Sequence, residues 1–235
     1  MRAIIKYEDD AIIVIHKPSG IATETARIGQ VDIVSELKNY RKAKGEGTYL
    51  GTIHRLDQPV EGLLVFAKTQ KAAAILTKQL EDGVLKKSYV ALVPGICDKK
   101  ITEGSLEDYL LKDGRTNLSK VVSADTKGAK KARLSWKLLS TIEASGIQYA
   151  LVHVEIFTGR HHQIRVQMSH AGMPLLGDSK YGNALSKELS DRLEIKQTAL
   201  LANRLLFIHP ITKKPMQFEI SYPKSWKIDD SVNSL

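Results

Sequence analysis

Cys97 is the only cysteine in the 235-residue chain, so no intrachain disulfide can form and no thiolate cluster can hold a metal. Long hydrophobic runs are missing as well. A Lys, Arg, Asp or Glu interrupts every apolar stretch before it reaches bilayer length, which argues against a helical membrane span. The N-terminal run MRAIIKYEDDAIIVIHK turns acidic at positions 8 to 10 and has no small-residue cleavage site. It reads as a first strand and not as a signal peptide, and the expected location is the reducing cytoplasm. Neither GxxxxGK[ST] nor GxGxxG occurs, so the usual phosphate-cradling loops are absent. No internal repeat or low-complexity segment stands out. Acidic residues are outnumbered, 26 Asp and Glu against 35 Lys and Arg, giving a net charge of +9. Such a surface attracts phosphate backbones, although solvated lysines on an ordinary soluble protein give the same excess.

At this length the chain can bury a good core as one domain over residues 1–235, or as two closely joined lobes. Residues 4–8 and 11–16 form an expected hairpin, followed by KPSG (17–20) as a type I turn with Pro18 second and Gly20 fourth. Val31, Val34, Leu37 and Arg41 have helical spacing over 31–41. LLVFAK (63–68) has strand length, and Thr69 is placed to cap a helix over 69–80 with Ala72, Leu76 and Leu80 on one face. SYVALV (88–93), RLSWKLLST (133–141), YALVHVEIF (149–157) and the segments LANRLLFIHP and PMQFEISYP suit strands. The stretch 96–130 is polar and predicts short strands and loops, and 183–199 is a polar, helix-compatible insertion. TGR (158–160) turns the chain into an expected helix from His161 to His170. These patterns predict an α+β fold with a mixed, largely antiparallel central sheet flanked by helices.

Three segments put polar groups where a core would want apolar ones. In GTIHRLDQPVEGLLVFAK (51–68), His54, Arg55 and Asp57 lie between strand-like runs. An aspartate is anionic at neutral pH without activation and can act as a covalent nucleophile in a dry, cation-lined site; it can equally cap backbone amides in a turn. In KKSYVALV (86–93), Tyr89 can stack on a base or hand over a proton, or simply pack, and Lys86 and Lys87 can meet phosphate or solvate a strand end. In FTGRHHQIRVQMSHAGMPLLGDSKYG (157–182), the cluster Arg160, His161, His162, Gln163 and Arg165 is too polar for ordinary packing. His161 and Arg165 share a helical face at i, i+4, with Ile164 and Met168 toward the core, and a guanidinium there suits a carboxylate or another anion. The spacing speaks against zinc: the histidines are adjacent, arginine holds the i+4 position, and no carboxylate completes a ligand set.

Taken together, KPSG (17–20), HRLD…GLLVFAK (54–68), KSYVALV (87–93), TGRHHQIR (158–165), GMPLLGDSKYG (172–182) and LLFIHP (205–210) resemble the RluA-type family of RNA pseudouridine synthases. The resemblance covers roughly residues 5 to 223. It implies the pseudouridine synthase fold with a catalytic cleft, and isomerisation of uridine to pseudouridine in ribosomal or transfer RNA without cofactor, metal or ATP. The family's aspartate falls on Asp57, its uracil-packing tyrosine on Tyr89, its aspartate-pairing arginine on Arg165, and the arginine that in some relatives fills the space of the flipped base on Arg55. His54, Lys87, Arg160, His162 and Gln163 are further expected RNA contacts. Some relatives carry a small N-terminal S4 domain; this chain is expected to begin directly with the catalytic fold. A monomer without obligate protein partner or membrane attachment is expected. The chain departs from the family pattern at His16, where asparagine is frequent, at Val60-Glu61, where Thr-Ser is common, and at Asn203, a frequent histidine. Rival readings are a non-catalytic RNA-binding module of the same fold and a hydrolase of nucleosides or RNA. The second is disfavoured because no second carboxylate is well placed.

Overall fold

The computed structural model describes residues 2–25, 29–95, 101–144 and 146–228; Cys97 and the first part of the 96–130 segment lie outside the described residues. In chain order the elements are β1 (Ile4–Glu8), β2 (Ile12–Lys17), α1 (Ile33–Ala43), β3 (Gly51–Thr52), β4 (Glu61–Ala67) and α2 (Gln70–Glu81). Next come β5 (Lys86–Pro94), β6 (Glu103–Asp113), β7 (Leu118–Val122), β8 (Lys130–Ala144) and β9 (Ile147–Ile156). Then follow α3 (Gln163–His170), α4 (Ala184–Leu193), β10 (Leu200–Ile208), β11 (Pro215–Glu219) and a short 3-10 turn at Lys224–Trp226. This is an α+β fold whose strand pairings β1–β2, β2–β4, β5–β9, β9–β8, β8–β6, β6–β7 and β10–β11 are antiparallel. Contacts divide the chain into two compact units, residues 1–87 with 202–220 and residues 88–201 with 221–235.

In the first unit the strands run β1-β2-β4-β10, with β3 on β4 and β11 on β10. Ile12 to Ile15 and Leu63 to Ala67 are buried on both strand faces, which is why their sequences are continuous apolar runs and not alternating ones. Helix α1 begins at Ile33, two residues later than its apolar spacing predicts. Asp32 caps it by accepting the Ser35 N–H at 2.7 Å, and Val31 stays outside and exposed. Thr69 caps α2 as expected, accepting from Ala72 at 3.1 Å. Gln79 then pins α2 to β10, its amide exchanging two hydrogen bonds with Ile208. Gly62 sits at φ +144° with Ala202 so close that a Cβ could not fit, so glycine is required there. The turn after β2 falls at Ser19-Gly20, one residue beyond the predicted centre, with Gly20 at φ +87°.

In the second unit the order is β5-β9-β8-β6-β7. Within 96–130 the described residues form one long strand, the 11-residue β6, and the 5-residue β7, while β8 runs for 15 residues from Lys130, beyond the 133–141 expected of it. Both faces of β6 carry polar residues, so hydrophobic periodicity does not reveal its length. Helix α3 packs Val166 against Leu110 and Ala132. It starts at Gln163, because His162 takes a left-handed conformation (φ 55°) and breaks the run; His161 therefore lies before the helix and does not share its face with Arg165. No helix among the described residues is long and apolar enough to cross a membrane.

Candidate active site

In the first unit, Asp57 sits half-buried in the loop between β3 and β4, and its neighbours are tied down on both sides. Thr23 Oγ donates to Leu56 O at 2.9 Å and accepts the Leu56 N–H at 3.1 Å. Thr23 is itself fixed to α1, its carbonyl taking the Val34 N–H at 3.1 Å. On the other side, Gly20 N–H donates to Gln58 O at 2.9 Å and Ser19 Oγ to Pro59 O at 2.7 Å. The loop therefore cannot adapt freely, and the aspartate is presented on a rigid support.

Lys17, which sequence reading treated only as part of a turn, is the buried cation of this loop. It is fully buried, and its ammonium donates to the carbonyls of Ile21 (2.8 Å), Pro18 (3.0 Å) and Gln58 (3.3 Å). Burial pulls its pKa down to about 8, against the opposing pull of the negative charges on Asp57 and Glu61. The signal was present in the sequence: a lysine directly after a buried apolar strand. Two of the family departures also meet here. His16 Nε2 lies 2.7 Å from Glu61 Oε1, so each replacement supplies a partner for the other.

In the second unit, Arg165 is 2% exposed and gives its fork to Asp178, Nε to Oδ2 and a terminal nitrogen to Oδ1, both at 2.7 Å. Asp178 also accepts the N–H groups of Lys180 (3.0 Å) and Tyr181 (3.2 Å). Burial alone would raise its carboxyl pKa. The Arg165 hydrogen bonds and charge, with the two backbone donors, outweigh burial and hold it below the ordinary carboxylate value. The loop bearing Asp178 is fixed next to β5, with Leu176 N–H donating to Leu92 O at 2.9 Å and Leu176 O accepting from Ala199 at 2.8 Å. Gly177 (φ +70°) passes the Gln197 backbone too closely for any Cβ. The acidic residue in GDSKYG, 13 residues downstream of Arg165, has no role in the sequence analysis; the structure makes it the partner of that arginine. Tyr89 is buried on β5, opposite Val154 of β9.

The expected RNA contacts divide by exposure. Arg55 and Arg160 are exposed, although Arg160 Nε donates to Lys131 O at 2.9 Å. Lys87 is half-buried and desolvation lowers its pKa to about 8. Three others, His54, His162 and Gln163, are largely buried. His54 is 7% exposed, its Nε2 facing the Val65 N–H, and burial together with the Lys87 charge drives its pKa well down, leaving a neutral ring. His162 is buried, with Nδ1 at 2.7 Å from the Tyr181 hydroxyl. Gln163 is spent on its own loop: Oε1 accepts from Thr158 Oγ (2.7 Å) and Arg160 N–H (3.0 Å), while Nε2 donates to Arg133 O (2.9 Å). It latches β9, β8 and α3 together.

Among known proteins, the family described as RNA pseudouridylate synthase matches residues 11–170. The chain is 35% identical to an uncharacterized RNA pseudouridine synthase, YhcT, of Bacillus subtilis, over 95% of this chain and 70% of that one. It is 30% identical to tRNA pseudouridine synthase C of Pasteurella multocida, over 94% of this chain and 92% of that one. The solved structure of human RNA pseudouridylate synthase domain containing 1 superposes with a TM-score of 0.74 at 22% identity, over 97% of this chain and 86% of that one, and shares the fold. The chain belongs to the RluA-type RNA pseudouridylate synthase family and is an isomerase of that family.

Proposed function

We propose that this pseudouridine synthase uses Asp57 as its catalytic carboxylate, supported by Tyr89 and Arg165, on a uridine in transfer or ribosomal RNA. The observation that carries the assignment is the clamped loop: Leu56, Gln58 and Pro59 are each hydrogen-bonded around the half-buried Asp57 by the KPSG–Thr23 segment. A turn aspartate that merely capped amides would not need a buried lysine and a threonine to fix the residues on either side.

The uridine must leave its stack to be reached, at a cost of a few kcal/mol, which phosphate contacts from a chain of net charge +9 help to offset. In the reaction the N1–C1′ bond breaks, the uracil turns, C5 joins C1′, and the proton on C5 is replaced by one gained at N1. The sum is redox-neutral, so no oxidant or reductant is consumed. Asp57 supplies the carboxylate, Tyr89 packs on the uracil ring, and Arg165 supplies positive charge to the anionic centre. Arg55, exposed beside Asp57 in the chain, is the side chain available to fill the space of the extruded base.

Pseudouridine mapping of total RNA from cells with and without this gene tests the assignment. At least one site disappears without the gene, returns with the wild-type copy, and does not return with Asp57→Asn. An unchanged map, with RNA binding intact, would favour a non-catalytic RNA-binding role.

A further inference from the structure

Tyr181 meets several of the groups around Arg165 in the second unit. The Arg165 guanidinium carbon lies over its ring, 5.1 Å from the centroid. Its hydroxyl accepts the Ser119 N–H of β7 at 2.8 Å and meets His162 Nδ1 at 2.7 Å. Its own N–H donates to Asp178, and its carbonyl accepts from Ser169 Oγ of α3 at 2.7 Å. The contacts close on themselves. Ser119 Oγ lies 2.8 Å from His161 Nδ1, and the His161 ring stacks on His162 at 3.7 Å and 26°. Lys180 adds a bond from its ammonium to Asn117 O, at the turn of the β6–β7 hairpin, at 3.1 Å.

The fork to Asp178 fixes the guanidinium within its plane, but two coplanar bonds resist tilting out of that plane poorly. A flat ring across one face supplies the missing restraint, and a hydroxyl bonded to two partners, Ser119 N–H and His162 Nδ1, keeps that ring from swinging. We propose that Tyr181 is a positioning residue for Arg165: its ring holds the plane of the guanidinium, and its hydroxyl fastens the ring to the β6–β7 hairpin and to His162. The geometry also makes the hairpin a remote control on the arginine, since the Ser119–His161 bond and the Ser119–Tyr181 bond share one residue. This rests on the assignment of Arg165 to the reaction.

Two readouts test it on the full-length protein. The first is tritium release from RNA labelled at uridine C5, with kcat and KM separated. Tyr181→Leu lowers kcat about 100-fold, the scale of a small misplacement of a catalytic group, with KM within about twofold. Tyr181→Phe keeps the ring and loses about three- to tenfold. Tyr7→Phe, which removes a hydroxyl bonded to Asp9 at 3.0 Å in the first unit, leaves kcat unchanged and controls for general destabilisation. The second is the Arg165 Nε–H signal in a ¹⁵N spectrum, identified by its loss in Arg165→Lys and independent of activity. It is protected in the wild type and in Tyr181→Phe, and collapses toward the free-arginine position in Tyr181→Leu. Wild-type kcat in Tyr181→Leu, or an unmoved Nε–H signal, overturns the proposal; wild-type kcat in Tyr181→Phe overturns the part assigned to the hydroxyl, even if the leucine variant does not fold. If the wild type releases no tritium, the assignment of the reaction fails and the spectrum alone decides the role of Tyr181.

Discussion

Replacing Asp178 by asparagine is the sharpest test of how the second unit is built. Asp178 is 3% exposed and Arg165 2%, so water can compensate neither charge when the other is removed. Breaking a buried ion pair from one side costs about 3–5 kcal/mol. Asparagine keeps an oxygen for one Arg165 donor but turns an NH2 toward the other, which places the loss near the lower end, about 3 kcal/mol. For a chain of this size that is a fall in Tm of about 6–12 °C, measurable by urea titration or calorimetry. The pH dependence gives an independent check. The folded Asp178 carboxyl titrates below its ordinary value, with the Arg165 bonds and charge overcoming the opposing effect of burial. Its contribution is therefore complete above the unfolded value near 4 and is lost as the pH falls through the folded one. The gap between wild type and Asp178→Asn should narrow below about pH 4. A variant within about 1 kcal/mol of wild type at pH 7, or a gap unchanged by acid, refutes the reasoning.

Three further outcomes follow from the same geometry. Arg165→Lys replaces a planar fork making two 2.7 Å bonds by a point charge, and kcat in the tritium-release assay should fall about 100-fold; wild-type kinetics would count against Arg165. Tyr89→Phe keeps the buried ring and should retain activity within about tenfold, whereas complete loss with RNA binding intact would assign the reaction to the hydroxyl. Lys17→Met should flatten stability between pH 8 and 10: with a folded pKa of about 8 the wild type binds fewer protons folded than unfolded in that window, so its stability rises there by up to about 3 kcal/mol, and an unchanged slope would contradict the buried ammonium.

Much of this was legible in the residues. The helix α1, the capped helix α2 and the buried strands β2, β4 and β9 follow from periods, apolar runs and a cap that a single chain displays locally. Polar groups interrupting those periods mark the three segments that hold Asp57, Tyr89 and Arg165, and the resemblance to the RluA-type family implies their roles. What escaped depends on partners distant in sequence. Asp178 acquires its meaning from Arg165, 13 residues earlier on another element, and Lys17 from carbonyls up to 41 residues away. His54, His162 and Gln163 have the side chains of RNA contacts, and only burial shows them turned inward. The length of β6 was hidden because both of its faces carry polar residues, and the left-handed His162 shortened a helix whose composition looked continuous.

In the proposed reaction Asp57 performs the chemistry on a loop held by its neighbours. Tritium release from C5-labelled uridine RNA by Asp57→Asn, compared with the wild type at equal RNA occupancy, tests it directly. Release should stay at the level of the no-enzyme blank with the dissociation constant for RNA within about twofold, since a carboxylate-to-amide change removes the charge and keeps the shape. Release by Asp57→Asn at the wild-type rate would contradict it.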